Sequence, residues 1–181
     1  MAIPAVAALW FLPFVLPICF YVALTDMREM KIKNHAVTAL ALVFVVVGLI
    51  VLPPWSGEWV GASIGPLQFS LPVYAWQLFH LVVVLFFGIL LNAAGAMGAG
   101  DAKFCAAAAP FVWVGDFLLV MVILMVTTLA AFATHRLAKY SRLRQIAPNW
   151  ESWDQGKKFP MGLALGASLG IYLILGAING S

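Results

Sequence analysis

The chain has 181 residues, of which 64% are hydrophobic and only 9% are charged. An average soluble domain is about half apolar and about a quarter charged, so this composition excludes a water-soluble globular fold and indicates a membrane protein. The formal charge of +3 does not indicate a nucleic-acid partner, because basic residues beside membrane spans act as topology anchors.

Six apolar windows follow one another and are expected to form a single membrane domain over residues 1–181. Most approach the roughly 17 to 25 residues that a helix needs to cross a bilayer. The sequence therefore predicts an all-α, polytopic bundle of about six transmembrane helices. The fourth window is short and needs Asp101 and its neighbours as its first turn. The windows are Ile3–Leu24, Ala36–Leu52, Val73–Leu91, Phe104–Val114, Phe117–Thr134 and Met161–Ile178.

The basic residues predict the orientation of these spans. With six crossings, all ten Lys and Arg residues fall on one side of the membrane, and positively charged loops stay in the cytoplasm. Both termini are therefore expected outside, with loops 25–35, 92–103 and 135–160 inside. The first window is expected to be a retained span, because no basic residue precedes it and no cleavage site follows it. The basic residues are Arg28, Lys31, Lys33, Lys103, Arg136, Lys139, Arg142, Arg144, Lys157 and Lys158.

Two connecting segments contain all four of the tryptophans that lie outside the predicted spans. Trp55–Pro72 is predicted to be an outer surface loop or short interfacial piece with its tryptophans at headgroup level. In His135–Phe159, a helix is expected to continue from the fifth span into an amphipathic interfacial segment. Trp150 and Trp153 would then contact lipid, and His135 would lie at a basic interface.

The topology places two aspartates at the cytoplasmic face, Asp26 at the end of the first span and Asp101 at the start of the fourth. Peptide hydrolysis by paired carboxylates needs one ionised Asp to accept a proton from water and one protonated Asp to polarise the scissile carbonyl. Two carboxylates held close cannot both ionise readily, which supplies both forms. Because water attacks directly, no cofactor and no metal are predicted. Cys19 and Cys105 also lack the Cys-x-x-Cys partner of a zinc site.

Each of these residues also has a purely structural interpretation. Gly98 and Gly100 could support a site by taking positive φ and letting a substrate strand approach the backbone. They could equally end the third helix together with Gly95, with Asp101 as the N-cap of the fourth. Asp26 could be an interfacial charge paired with the nearby basic residues.

The residues around both aspartates resemble motifs of the type IV prepilin peptidase family. Its members carry Gly-x-Gly-Asp and an earlier Asp followed by a basic run and Ile-Pro-Asn. This chain reads Gly-Ala-Gly-Asp over Gly98–Asp101. It has Ile32 and Asn34 at the expected offsets after Asp26, with Lys33 in place of the proline.

A third segment, late in the chain, extends the resemblance. Pro160-Met-Gly162 is similar to the Pro-x-Gly segment that opens the last span in this family. The three segments together are more specific than Gly-x-Gly-Asp alone, which also occurs in presenilin-like and signal-peptide-peptidase-like proteins. Those proteins are less similar, because they are longer and carry Tyr-Asp where this chain has Thr25-Asp26.

The resemblance implies hydrolysis of a prepilin leader at the cytoplasmic border of its hydrophobic segment, in the inner membrane. It implies Asp26 and Asp101 as the catalytic pair and Gly98 and Gly100 as supporting backbone, and it gives Lys103 no mechanistic role. The chain lacks the cytoplasmic Cys-x-x-Cys insertion of larger members, which implies peptidase activity without N-methylation. Its compact form resembles the subgroup that serves tight-adherence pili with Flp-type pilins. A pseudopilin or preflagellin-type substrate stays open, as does the oligomeric state.

Two other classes of function remain alternatives. A small transporter or ion pathway would line a conduit with Asp26, Asp101 and His80, but such a protein should place polar groups across the full depth of the bilayer. An inactive scaffold of a pilus or secretion machine is the second alternative. His80 itself is expected to be a hydrogen-bonded interhelical histidine. Asp116, on the outer side, is expected to cap the fifth helix.

Overall fold

The computed structural model describes residues 1–56, 59–64, 67–155 and 159–181. Five of its helices are long and apolar enough to cross a membrane, which confirms the predicted all-α polytopic bundle. Each of these helices covers most of the apolar window predicted for it. The α-helices of the described residues are α1 (Ala5–Glu29), α2 (Asn34–Val51), α3 (Val73–Ala93), α4 (Ala99–Ala108), α5 (Phe117–Lys139) and α6 (Met161–Asn179). The five that could cross a membrane are all of these except α4.

Helix α4 has ten residues, which makes it too short to be one of the five, and it lies antiparallel to α3. Its first turn contacts the last turns of α3, where a Cβ on Gly88 would lie 3.1 Å from the Cβ of Ala102. Beyond α4 and the following 3₁₀ turn, Val112 is hydrogen-bonded through its backbone to His80, nearer the start of α3. His80 is therefore bonded to the segment that follows α4 and not, as the prediction had it, to a second helix. Asp101 lies in the first turn of α4, as the short window required.

Helices α1 and α6 are antiparallel and pack closely along their whole length. The contact depends on glycines of α6, because small residues let two membrane helices approach each other. A Cβ on Gly166 would lie 2.8 Å from the carbonyl oxygen of Cys19, and one on Gly176 would lie 2.7 Å from Ile3. This packing brings the C-terminal end of α1 against the N-terminal end of α6.

The outer segment after α2 is not the predicted loop but an antiparallel hairpin of β1 (Trp59–Ile64) and β2 (Leu67–Pro72). The alternation Leu-Gln-Phe-Ser-Leu over residues 67–71 has the two-residue period of a strand, which explains the difference. Trp55 and Trp59 are exposed, at 76% and 57%. Glu58 of this segment lies outside the described residues.

The segment after α5 folds back onto the bundle, which contradicts part of the prediction. Helix α5 does continue to Lys139, but His135 is only 1% exposed and Trp153 only 2%. Their rings stack with centroids 5.0 Å apart, and Phe159 packs edge-on against His135 at 5.9 Å. Trp153 therefore does not face lipid and His135 does not lie at an open interface, because the rings bury one another. The predicted cytoplasmic residues Lys157 and Lys158 lie outside the described part of the chain.

Asp116 joins three segments at the end of the bundle opposite to Asp26. It precedes α5 at the N-cap position, but its side chain makes no capping bond, so the capping prediction is wrong. Its carboxylate instead accepts hydrogen bonds from the backbone N–H groups of Ala2 and Ile3, at 2.8 and 3.0 Å. Tyr172 of α6 donates a third bond at 2.9 Å. This buried cluster holds the N-terminal segment and α6 against the start of α5.

We expect Asp116→Ala to destabilise the protein strongly. Removing the carboxylate leaves three donors without their acceptor, and each unpaired buried donor costs about 1 kcal/mol or more, for a total of at least about 3 kcal/mol. Thermal unfolding in detergent, followed by tryptophan fluorescence, measures the effect. Asp154→Ala is the control, because the Asp154 side chain is 71% exposed and its substitution should be nearly neutral. Equal melting temperatures for the two variants would contradict this assignment.

Candidate active site

Asp26 lies inside α1, one turn before the helix ends. Met30 ends the helix in a left-handed conformation, φ 51°, and its N–H donates to the carbonyl of Asp26 at 2.9 Å. The Asp26 side chain is only 6% exposed. It is therefore not the interfacial charge of the structural interpretation, paired with basic neighbours at the surface.

The N-terminus of α6 binds the carboxylate of Asp26. Gly162, the second residue of α6, donates its backbone N–H to Asp26 Oδ2 at 2.7 Å. The first N–H groups of a helix have no partner within the helix and favour negative charge. A Cβ on Gly162 would lie 2.9 Å from the Cβ of Asp26 and 3.0 Å from its Oδ2. Only glycine at this position allows the carboxylate to approach so closely.

Asp101 lies at the N-terminus of α4, in the third helical position after the N-cap residue Gly98. Its carboxylate turns back and accepts a hydrogen bond from the backbone of Gly98, as the acidic residue of a capping box does. The alternative interpretation of Asp101 as the N-cap of this helix is therefore wrong. The side chain is half-buried, so part of it faces the space in front of the helix.

Gly98 and Gly100, which precede Asp101, do not supply the positive φ that the sequence analysis proposed for them. The positive φ lies at Gly95, 73°, and this glycine ends α3 as the structural interpretation proposed. Gly98 has an ordinary φ of −66°. A Cβ there would lie 2.7 Å from Asp101 Oδ2, so the carboxylate would have to leave its present position. The role of Gly100 is packing, since its Cβ would lie 3.2 Å from that of Ile32.

The segment between α1 and α2 connects the two aspartates. Ile32 packs against the first turn of α4 at Gly100, and Asn34 accepts a hydrogen bond from Lys103 at 3.2 Å. Glu29 and Lys33 form an ion pair across the same turn. These contacts place the end of α1 beside the start of α4, which gives the Ile-x-Asn pattern a structural purpose.

Both carboxylates line one cavity of about 500 Å³, here named the aspartate cavity. The end of α1, the start of α4 and the start of α6 form its walls, and Phe159, held by His135, covers one side. Residues that line it include Asp26, Lys31, Ile32, Asp101, Phe159 and Met161.

The arrangement has the components of carboxylate acid–base chemistry. Two aspartates face one water-accessible space, and each has a backbone N–H group that fixes the orientation of its carboxylate. Among the described residues, no three His, Cys, Asp or Glu side chains cluster as metal ligands. Such a pair can share one proton and so present an acid and a base to the same bound molecule.

Sequence reasoning identified both aspartates but not the residues that orient them. The resemblance of Pro160-Met-Gly162 pointed to the start of α6 without giving it a role. Its role is the hydrogen bond from Gly162 to Asp26, across 136 positions of sequence. A signal was present, because glycine in the first turn of an apolar helix is a poor helix former and indicates a close contact.

Comparisons with known proteins identify the family. A model of the type IV leader peptidase family matches residues 13–134. The matched range includes Asp26 and Asp101, together with helices α2 to α4 and most of α5. No curated protein matched the chain, and no solved structure matched it. Because the family model covers well over half of the sequence, the chain belongs to the type IV leader peptidase family.

Proposed function

We propose that the protein is an aspartyl prepilin peptidase, in which Asp26 and Asp101 hydrolyse the leader of a type IV prepilin. The observation that carries this proposal is the shared aspartate cavity. Two acidic side chains from helices far apart in sequence line one space, and each is oriented by a backbone N–H group. Ionisable residues are rare inside membrane proteins and mark functional sites.

The proposed reaction uses one proton held between the two carboxylates. The ionised aspartate takes a proton from a water molecule, and the oxygen of that water attacks the scissile carbonyl carbon. The protonated aspartate gives its proton to the carbonyl oxygen, which forms a tetrahedral diol. Proton transfer to the peptide nitrogen then breaks the C–N bond, releasing the leader with a new carboxyl group and the pilin with a new amino group. The two roles belong to the pair, because strongly interacting groups titrate together.

For the substrate, we propose a Flp-type prepilin cleaved at the cytoplasmic face of the inner membrane. The compact chain, with no Cys-x-x-Cys insertion between its helices, supports this choice. Co-expression with a Flp-type prepilin, and separately with a secretion pseudopilin, tests it by gel shift and mass spectrometry. We expect removal of the Flp-type leader. Removal of only the pseudopilin leader would assign the other substrate class.

We also expect both termini outside and the segment after α5 in the cytoplasm, because that segment carries Arg136, Lys139, Arg142 and Arg144. Alkaline phosphatase is active only outside the inner membrane, and green fluorescent protein exported by the general pathway does not fluoresce there. A C-terminal phosphatase fusion should therefore be active, and the same reporter inserted after Tyr140 should be inactive. The fluorescent reporter should give the reverse pattern. Fluorescence from the C-terminal fusion would contradict the orientation.

A further inference from the structure

A second cavity, of about 280 Å³, lies between the α3–α4 hairpin and the α5–α6 pair. It is named here the intramembrane groove. Its walls are almost entirely apolar and include Phe104 and Ala108 of α4, Val120 of α5 and Leu165 of α6. All four of these helices belong to the membrane bundle, so the groove lies within the bilayer and not at its surface.

The groove begins next to the proposed catalytic pair. Cys105, which lines it, is one helical turn after Asp101 on α4. Leu165 lies one turn after Gly162, the donor to Asp26. From Cys105 the groove follows the rest of α4 and the 3₁₀ turn after it to Val112, a distance of roughly 10 to 14 Å at 1.5 to 2.0 Å per residue. It therefore leads from the aspartates toward the opposite membrane face.

The polar side chains in the groove already have partners. Ser168 donates to the carbonyl of Ala164 at 2.7 Å and is hydrogen-bonded to Thr127 at 2.6 Å. His80 is bonded to the backbone of Val112, and Tyr172 donates to Asp116. A molecule bound in the groove would therefore contact apolar side chains. Polar groups on that molecule would find no free hydrogen-bond partner among Ser168, His80 and Tyr172.

We propose that the intramembrane groove binds the hydrophobic segment that follows the scissile bond of the substrate, in helical form. This inference rests on the proposed function, which places the scissile bond at the aspartates. A chain that continues from there into the bilayer must be helical, because its backbone groups have no water to bind. The small side chains of Cys105, Ala108 and Ala109 let such a helix lie close to α4. The length of the groove is enough to accommodate the side chains on one face of that helix over about two turns.

The test compares two tryptophan variants on the same turn of α5. Val120 lines the groove, whereas Val122 is 52% exposed on the outside of the bundle. Both variants are assayed in nanodiscs with two synthetic prepilin peptides that share one basic leader. One peptide carries an apolar segment of about 20 residues after the scissile bond, and the other ends about one turn after it.

We expect Val120→Trp to raise KM for the long peptide about tenfold, equivalent to about 1.4 kcal/mol of lost binding, with kcat nearly unchanged. A higher KM with an unchanged kcat indicates the loss of an interaction that the bound substrate and the transition state share. Val122→Trp should match wild type, and the short peptide should not distinguish the variants. Equal KM values for the two variants would overturn the inference while leaving the proposed function intact. No cleavage of either peptide by wild type would overturn both.

Photo-crosslinking gives a second readout with the wild-type protein, which does not depend on the folding of a variant. A benzophenone side chain is placed about two turns after the scissile bond of the long peptide. Crosslinks to the fragments that contain Ala108 or Val120 are expected. Crosslinks confined to α2, or to the exposed face of α5 at Val122, would overturn the inference. They would indicate that the groove is filled by lipid chains or by a second copy of the protein.

Discussion

Asp26→Asn and Asp101→Asn are each expected to reduce leader cleavage by about 10²- to 10⁴-fold, the usual contribution of a positioned acid or base. Asparagine has nearly the same shape as aspartate, but it can neither accept the proton from water nor share one with its partner. The double variant should be little worse than either single variant, because residues that act as a unit are not additive. Initial rates with a saturating prepilin peptide measure these effects.

The controls for this series separate chemistry from folding. Asp154→Asn changes an exposed aspartate that is ion-paired with Arg144, and it should cleave at the wild-type rate. Membrane yield and thermal unfolding should be similar for all the variants. Independent, additive losses from Asp26→Asn and Asp101→Asn would argue that the two residues do not act as a pair.

Gly162→Ala should lower kcat by about 10²-fold, the size of effect expected when a catalytic group is displaced by about 1 Å. The new methyl group would lie 2.9 Å from the Cβ of Asp26, so the aspartate must move away from the N–H group that orients it. Alanine is otherwise the better helix former. A loss of helix could therefore not explain the loss of activity.

Gly170→Ala is the matched control on the same helix. A Cβ at Gly170 would lie 3.0 Å from the end of the Leu16 side chain, which is flexible and can move aside. Both substitutions raise helix propensity equally, so the comparison isolates the contact with Asp26. The same kcat for both variants would show that the position of Asp26 does not depend on α6.

The sequence was sufficient to predict the five long apolar helices and to place Asp26 and Asp101 at the same end of the bundle. Long apolar windows specify membrane helices directly, because a bilayer requires a minimum length of apolar chain. The grouping of the basic residues on one side placed Asp26 and Asp101 at the same face although α2 and α3 separate them. The structure agrees, since both carboxylates line the aspartate cavity.

The parts that could not be predicted depend on contacts between distant segments. The hydrogen bond from Gly162 to Asp26 exists only because α1 and α6 pack along a row of glycines. The segment His135–Phe159 has the sequence of an amphipathic interfacial helix, yet the rings of His135 and Trp153 stack and bury each other. Asp116 occupies an N-cap position, but the N-terminal segment and Tyr172 supply better donors than the helix itself. In each case the contacting residue lies too far away in the sequence for a local pattern to indicate it.

The most direct test of the central claim is the mass of the products formed by the purified protein from a Flp-type prepilin in liposomes. Wild type should release an intact leader peptide and a mature pilin with an unmethylated amino terminus, and neither product should form with Asp26→Asn or Asp101→Asn. Cleavage at the same bond by either variant at the wild-type rate would contradict the account of a catalytic aspartate pair.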